Sequence, residues 1–178
     1  PSQQVLARRA EGPPRGPLFS PGGACSADKP AAATPYRWGP IPCRPASGAS
    51  TSHIGLVPPA STTYNEPYNL ARLFASLDHL CHGRAGWNIV TTSQGAASQN
   101  FGLAEHPVHA ERYEKSREFV EVVTKLWDSW EDDAVIADQA SGLFADTDRI
   151  HTIDHIGKHF KVKGPLNAPR TPQGRPVY

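Results

Sequence analysis

Two helix patterns, each preceded by a short apolar run, alternate along residues 52–130. The first run, residues 52–57, leads through a proline-containing loop into a helix pattern that Asn65 is expected to cap. The second run, Ala85–Thr91, precedes a helix pattern over residues 107–130. Alternating strands and helices of this length favour parallel strands joined by right-handed crossovers. The sequence therefore predicts an α/β fold whose ligand site lies beyond the carboxyl ends of the strands.

Each helix pattern carries one apolar face, spaced by three and four residues, that is expected to be buried. In the first helix this face consists of Leu70, Leu73, Phe74, Leu77 and Leu80. In the second it consists of Phe119, Val122, Val123, Leu126, Trp127 and Trp130. Gly83 is expected to end the first helix. The predicted outer face of the second helix carries Glu111, Glu114, Lys115, Arg117 and Glu118.

The stretch RIHTIDHIGKHFKVKG, residues 149–164, alternates with a period of two around Gly157 and predicts a β-hairpin. RPVY at residues 175–178 is expected to begin a further strand. Three histidines in the hairpin, spaced by four residues, would share one face if the stretch were helical: His151, His155 and His159. On a hairpin His151 and His155 would share a face, while His159 would lie on the opposing strand, so no metal site is predicted.

Charge and composition exclude several classes of protein. The chain has 18 basic and 17 acidic residues, with no basic stripe, so neither nucleic acid nor a membrane is an expected partner. No apolar window is long enough to span a bilayer and no signal peptide opens the chain, which indicates a soluble, cytoplasmic protein. The three cysteines, Cys25, Cys43 and Cys81, have unrelated spacings and predict neither disulfides nor a zinc site.

Residues 1–50 contain 10 of the 18 prolines and 6 of the 15 glycines. A segment of this composition buries too little apolar surface to offset chain entropy, so we expect it to be disordered. A reading-frame error in a GC-rich gene is the alternative explanation, since it also produces Pro, Gly, Ala and Arg. The chain contains no Met and stops on RPVY, and we therefore expect a fragment truncated at the carboxyl end.

Polar residues cluster where the two strands are expected to end. Thr91 and Thr92 close the second strand, and Ser61 lies in the loop after the first. His109 and Tyr113, four residues apart, project from one face of the second helix near its start. A helix amino terminus attracts phosphate, and these two side chains would add donors. The alternative is that His109 and Tyr113 only pack the helix start.

Three stretches follow one another along the chain: TSHIGLVPPASTTYNEPYNLARLFASLDHLCHGRAGWNIVTTSQGAASQNFG, HPVHAERYEKSREFVEVVTKLWDSWEDDAV and GPLNAPRTPQGRPVY. In content and in order they resemble the flavin-dependent monooxygenases of the bacterial luciferase-like superfamily. The most similar group acts on nitrilotriacetate, EDTA, dibenzothiophene sulfone and long-chain alkanes. The resemblance covers residues 51–178 and implies the early-middle part of a TIM (β/α)8 barrel, with a β-hairpin excursion before the last strand.

The resemblance also implies a cofactor, partners and site residues. Members receive reduced FMN from an NADH-dependent flavin reductase and use O2 to oxygenate a small organic substrate, and the full-length protein is expected to form homo-oligomers. Thr91 or Thr92 is expected near the flavin, with His109 and Tyr113 contacting FMN. Pro59 stands where members carry a hydroxyl residue that contacts the flavin, so this contact is either lost or supplied by Ser61. A non-catalytic flavin-binding protein and, more remotely, a metal-dependent hydrolase are the alternatives.

Overall fold

The computed structural model describes residues 18–19, 41 and 48–178. The helices among them are α1 (Pro67–Leu80) and α2 (His109–Trp127), with 3-10 turns at Gly95–Phe101 and Thr147–Arg149. The strands are β1 (Leu18–Phe19), β2 (Leu56–Val57), β3 (Pro59–Ser61), β4 (Asn88–Val90), β5 (Val135–Asp138), β6 (Leu143–Ala145), β7 (His155–Ile156) and β8 (Lys161–Val162). No helix in these ranges is long and apolar enough to cross a membrane.

The first four strands are parallel, as the alternation of strands and helices predicts. β1 pairs with β2, and β3 pairs with β4 so that Ser61 lies opposite Val90. Single parallel bridges extend this arrangement, from Leu56 to Ala85 and from Gly86 to Val177. Helix α1 connects β3 to β4, and α2 follows β4. The described part of the chain is thus a succession of parallel strand–helix units.

β1 lies within the proline-rich segment, where the sequence indicates no strand. Its two residues, Leu18 and Phe19, pair in register with Leu56 and Val57. Nearly all other residues of 1–50, including Cys25 and Cys43, lie outside the described residues, and the prediction of disorder or a reading-frame error stays a prediction. Cys81 is a buried free thiol whose pKa is raised by burial.

Trp87 is the centre of the hydrophobic core and is 1% exposed. Its ring centroid lies 5.9 Å from that of Phe74 on α1 and 6.0 Å from that of Phe119 on α2. Trp127 packs against it edge-on at 6.3 Å. The indole Nε1 donates a hydrogen bond to the carbonyl oxygen of Ala60, at 3.0 Å. One side chain therefore joins β3 to both helices.

The predicted buried face of α1 is partly wrong. Leu70, Phe74 and Leu77 are buried, whereas Leu73 is 46% exposed and Leu80 is 60% exposed. The buried face is rotated toward Ala71, Ala75 and Asp78, because the small side chain of Ala71 lets Trp127 approach and donate its Nε1–H to the Ala71 carbonyl.

The predicted ends of α1 also differ from the structure. Glu66, not Asn65, occupies the N-cap position and makes no side-chain capping hydrogen bond. Asn65 instead donates from Nδ2 to the carbonyl oxygen of Ser61, at 2.7 Å, and so closes the loop. The helix ends at Leu80, and the left-handed position after its cap is His82 (φ +55°), not the predicted Gly83. Gly83 follows with a φ of +78°, and its amide donates to the Asp78 carbonyl at 2.9 Å.

The second apolar run and the second helix are shorter than predicted. Only Asn88–Val90 form a strand, and these residues are half-buried because they lead from the core around Trp87 to the polar strand ends. Helix α2 ends at Trp127, before the predicted Trp130. Trp130 is half-buried and donates from Nε1 to the Leu166 carbonyl, at 2.7 Å. The other five residues of the predicted face of α2 are buried.

Two antiparallel pairs lie between α2 and the bridge at Val177. β5 pairs with β6, which the sequence did not indicate, and its apolar residues are largely exposed. β7 pairs with β8 inside the stretch for which a hairpin is predicted, with the Gly157 amide donating to the Phe160 carbonyl at 2.9 Å.

The tip of the β7–β8 hairpin is held by Glu118 of α2, which the sequence placed wrongly on the outer face. The Glu118 carboxylate accepts backbone hydrogen bonds from Phe160 at 2.8 Å and from His159 at 3.0 and 3.1 Å. The His155 imidazole contacts it at 3.2 Å. A Cβ atom at Gly157 would overlap this carboxylate, which explains the glycine.

Candidate functional site

The candidate site lies at the carboxyl ends of β3 and β4. Because the two strands are parallel and in register, the residues that follow them emerge at the same edge. The hydroxyl groups of Ser61 and Thr92 meet there in a hydrogen bond of 2.7 Å, and both side chains are half-buried. Thr91 is half-buried as well. The two loops predicted to share one end of the sheet do share it.

The threonines that follow Ser61 hold the loop in place. The Thr63 amide donates to Ser61 Oγ at 3.1 Å, and the Thr92 amide donates to Thr63 Oγ1 at 3.3 Å. Thr62 is completely buried, and its amide donates to the Val90 carbonyl at 3.0 Å. These contacts give Thr62 and Thr63 structural roles, and leave the half-buried Ser61 and Thr92 as the hydroxyl pair of the site.

Two cationic side chains of α2 hold the loops after β3 and β4 against the helix. Sequence reasoning identified neither of them as part of the site. The Arg112 guanidinium donates to the carbonyl oxygens of Thr92 at 2.6 Å and Pro107 at 3.1 Å. Lys115 donates from Nζ to the Thr63 carbonyl at 3.0 Å, although the sequence assigned it to the outer face. Their position in the first two turns of α2, directly after a polar loop, was the available signal.

The amino terminus of α2 is open. Its N-cap residue, Val108, provides no side-chain hydrogen bond, so no side chain caps the amide groups of the first turn. His109 and Tyr113 stack on one face of this turn with ring centroids 4.4 Å apart. Tyr113 is 46% exposed and His109 is exposed. N–H groups that the N-cap side chain leaves unpaired, a phenol and an imidazole together suit an anionic group such as phosphate.

A cluster of three rings lies at the same strand ends. Tyr64, in the loop after β3, stacks on Phe101 with ring centroids 4.4 Å apart and planes inclined by 2°. Its hydroxyl group lies 2.7 Å from Nδ1 of His106. Burial raises the pKa of the Tyr64 phenol, against a smaller lowering by the charge of Arg112. Sequence reasoning singled out none of these three residues.

The three histidines of the metal alternative do not come together. His151 lies 2.7 Å from Glu131, and His155 contacts Glu118. His159 lies 3.6 Å from Glu114. Within residues 48–178 and the few described before them, no group of three or more ligating side chains could hold a metal ion.

Comparison with known proteins shows which family this chain matches. The luciferase-like monooxygenase family matches residues 31–178. The chain is 58% identical over 127 residues to component A of nitrilotriacetate monooxygenase from Aminobacter aminovorans, covering 71% of this chain and 28% of that protein.

Solved structures give the same result. The structure of EDTA monooxygenase from Chelativorans sp. BNC1 superposes with a TM-score of 0.80 at 35% identity, over 98% of this chain and 41% of that one. A riboflavin lyase, solved with modified FMN and riboflavin, superposes with a TM-score of 0.88 at 36% identity and the same coverage.

Parallel strand–helix units with polar loops at one end are compatible with a TIM-barrel type of fold, and the solved relatives support this fold. The chain belongs to the luciferase-like monooxygenase family. It spans 28% to 32% of the length of the first three curated relatives.

Proposed function

We propose that the protein is a flavin-dependent monooxygenase that takes reduced FMN from an NADH-dependent flavin reductase and uses O2 to oxygenate a small organic molecule. One observation carries the proposal. Arg112 donates to the Thr92 carbonyl, and so connects the strand ends that bear the Ser61–Thr92 hydroxyl pair to the start of α2, where His109 and Tyr113 stack. The relatives named for monooxygenase activity and the FMN in the riboflavin lyase structure support it. A partner reductase that uses NADH would act with it in the cytoplasm.

The residues present fit FMN. The first-turn amide groups of α2 are not capped by a side chain, so they would bind the phosphate, with Tyr113 and His109 as additional donors. Ser61 and Thr92 would hydrogen-bond the polar edge of the ring system, with Thr91 beside them. Pro59 is buried in β3 and has no hydroxyl group, so Ser61 takes that role. When bound, reduced flavin supplies the electrons that activate O2.

In this proposal the described residues form the early-middle part of the barrel. Its successive parallel strands are β1, the segment 56–61 that contains β2 and β3, the segment 85–90 that contains β4, and the strand that Val177 begins. The β7–β8 pair is an excursion before this last strand. The rest of the barrel, in the full-length protein and its homo-oligomer, would complete the site. The matched region covers only 28% and 32% of the first two relatives, which supports this assignment.

We expect oxygen incorporation to depend on the hydroxyl pair. With reduced FMN, a flavin reductase, NADH and labelled O2, the protein should place one labelled oxygen atom in a substrate chosen from nitrilotriacetate and dibenzothiophene sulfone. Thr92→Val keeps the shape of the side chain but removes its hydroxyl, and should lower kcat/KM for product at least tenfold.

Lys158→Gln, on the exposed tip of the β7–β8 hairpin, is the matched control and should leave the rate unchanged. Flavin binding without labelled product from any substrate would instead identify a non-catalytic flavin-binding protein.

A further inference from the structure

Lys115, in the second turn of α2, directs its charge at neutral partners. Its side chain is half-buried, and its ammonium group donates to the Thr63 carbonyl at 3.0 Å and lies 5.5 Å from the centroid of the Phe160 ring. Within the described residues no carboxylate forms an ion pair with Lys115, although Glu111 stands one turn earlier at the usual spacing. The lysine therefore links the helix to two other elements, the β7–β8 hairpin and the loop after β3.

Thr63 passes this contact on to the hydroxyl pair of the site. The residue is 5% exposed and is bonded in three directions. Its carbonyl accepts from Lys115, its amide donates to Ser61 Oγ at 3.1 Å, and its Oγ1 accepts from the Thr92 amide at 3.3 Å. The hydroxyl groups of Ser61 and Thr92 are themselves 2.7 Å apart. A displacement of Thr63 therefore moves both hydroxyl groups.

Lys115 does not belong to the phosphate end of the site. It follows Tyr113 by two residues, so the two side chains leave α2 on different faces. Tyr113 stacks with His109, whereas Lys115 shares its face with Arg112, three residues earlier. Arg112 holds the loop after β4 by donating to the Thr92 carbonyl at 2.6 Å. The two cations thus have separate tasks, Arg112 at the loop after β4 and Lys115 at the loop after β3.

We propose that Lys115 is a positioning residue for the flavin ring system. By fixing Thr63, it holds the Ser61 and Thr92 hydroxyl groups where they hydrogen-bond the polar edge of the ring. A hydrogen bond from a charged donor is stronger than one between neutral groups, and the Phe160 ring fixes the ammonium group that makes it. The inference rests on the flavin monooxygenase function proposed above and adds the β7–β8 hairpin to the elements that shape its site.

Titration of the same variants with oxidised FMN and with riboflavin tests the inference. Lys115→Met removes the ammonium group but keeps the length of the side chain, and should weaken both ligands by the same factor, about threefold to tenfold. The ratio of the two affinities should keep its wild-type value, because the phosphate contacts are unchanged. Lys115→Arg, which retains a charged donor, should restore most of the affinity. Lys161→Met, at an exposed lysine on β8, is the matched control and should bind both ligands like the wild type.

A double-mutant cycle separates positioning from a general loss of structure. In a background of Ser61→Ala with Thr92→Val, the hydroxyl groups that Lys115 positions are gone, so Lys115→Met should weaken riboflavin less than about twofold. A loosened fold would instead lower the affinity by the same factor in both backgrounds. Urea denaturation of each variant gives the fraction of folded protein to which the affinities refer.

The outcomes separate the inference from the proposed function. A loss of FMN affinity with unchanged riboflavin affinity in Lys115→Met would make Lys115 a phosphate ligand and overturn the inference alone. Unchanged affinity for both ligands, or equal losses in the two backgrounds, would overturn it as well. Absence of FMN and riboflavin binding by the wild-type protein overturns the proposed function, and the inference with it.

Discussion

Replacing Trp87 with alanine is expected to lower the free energy of unfolding by about 3–5 kcal/mol, the usual cost of removing a large buried aromatic side chain. The loss is large because Trp87 touches rings from α1 and α2 and also donates to the Ala60 carbonyl of β3. No neighbouring element can close the resulting cavity without separating the strands from the helices. Urea denaturation followed by circular dichroism measures the effect.

Two further variants test the cause. Trp87→Phe keeps much of the volume and loses the hydrogen bond, so it should cost clearly less than Trp87→Ala. Phe144→Ala removes an aromatic ring that is 63% exposed on β6, and should change the free energy of unfolding by less than about 0.5 kcal/mol. Similar losses for Trp87→Ala and Phe144→Ala would show that Trp87 is not the centre of the core.

Glu118→Ala is expected to cost about 3 kcal/mol, because it leaves the backbone N–H groups of His159 and Phe160 without acceptors. Phe160 packs edge-on against Phe119 and lies under the Lys115 ammonium group, which in turn holds the Thr63 carbonyl of the candidate site. The loss should therefore also loosen the loop after β3. Glu114→Ala, at an exposed carboxylate on the same helix, is the matched control.

The Glu118 carboxylate is expected to make the free energy of unfolding depend on pH. Burial acts to raise the pKa of Glu118, but the hydrogen bonds from His159, Phe160 and His155 outweigh it and hold the pKa below its ordinary value. A lowered pKa in the folded state adds stability that is complete above the unfolded-state pKa of about 4.3 and disappears as the pH falls through the folded-state pKa. Acid unfolding of Glu118→Gln should therefore be less steep below about pH 4.5 than that of the wild type. Identical pH profiles would contradict this role of Glu118.

Local patterns in the sequence were sufficient for part of this structure. The face of α2 from Phe119 to Trp127 was predictable because its residues follow helical spacing, and the meeting of Ser61 with Thr92 followed from two strands ending at one edge. Leu73 and Leu80 were assigned wrongly because spacing does not show which side of a broad apolar face the next helix covers.

The remaining contacts depend on partners far away in the chain. Glu118 binds the hairpin tip about 40 residues later, and Lys115 reaches Thr63, 52 residues earlier. A charged residue in a helix gives no local sign of such a partner, so both were assigned to the outer face. His106 was missed for the same reason, since its bond to Tyr64 spans 42 residues.

The ratio of FMN affinity to riboflavin affinity tests the central claim most directly, because the two ligands differ only in the phosphate group. A site built on the open start of α2, with His109 and Tyr113 beside it, should bind FMN at least tenfold more tightly than riboflavin. Tyr113→Phe should reduce this preference by weakening FMN while leaving riboflavin unchanged. Equal affinity of the wild-type protein for FMN and riboflavin would contradict the assignment of the helix start as the phosphate site.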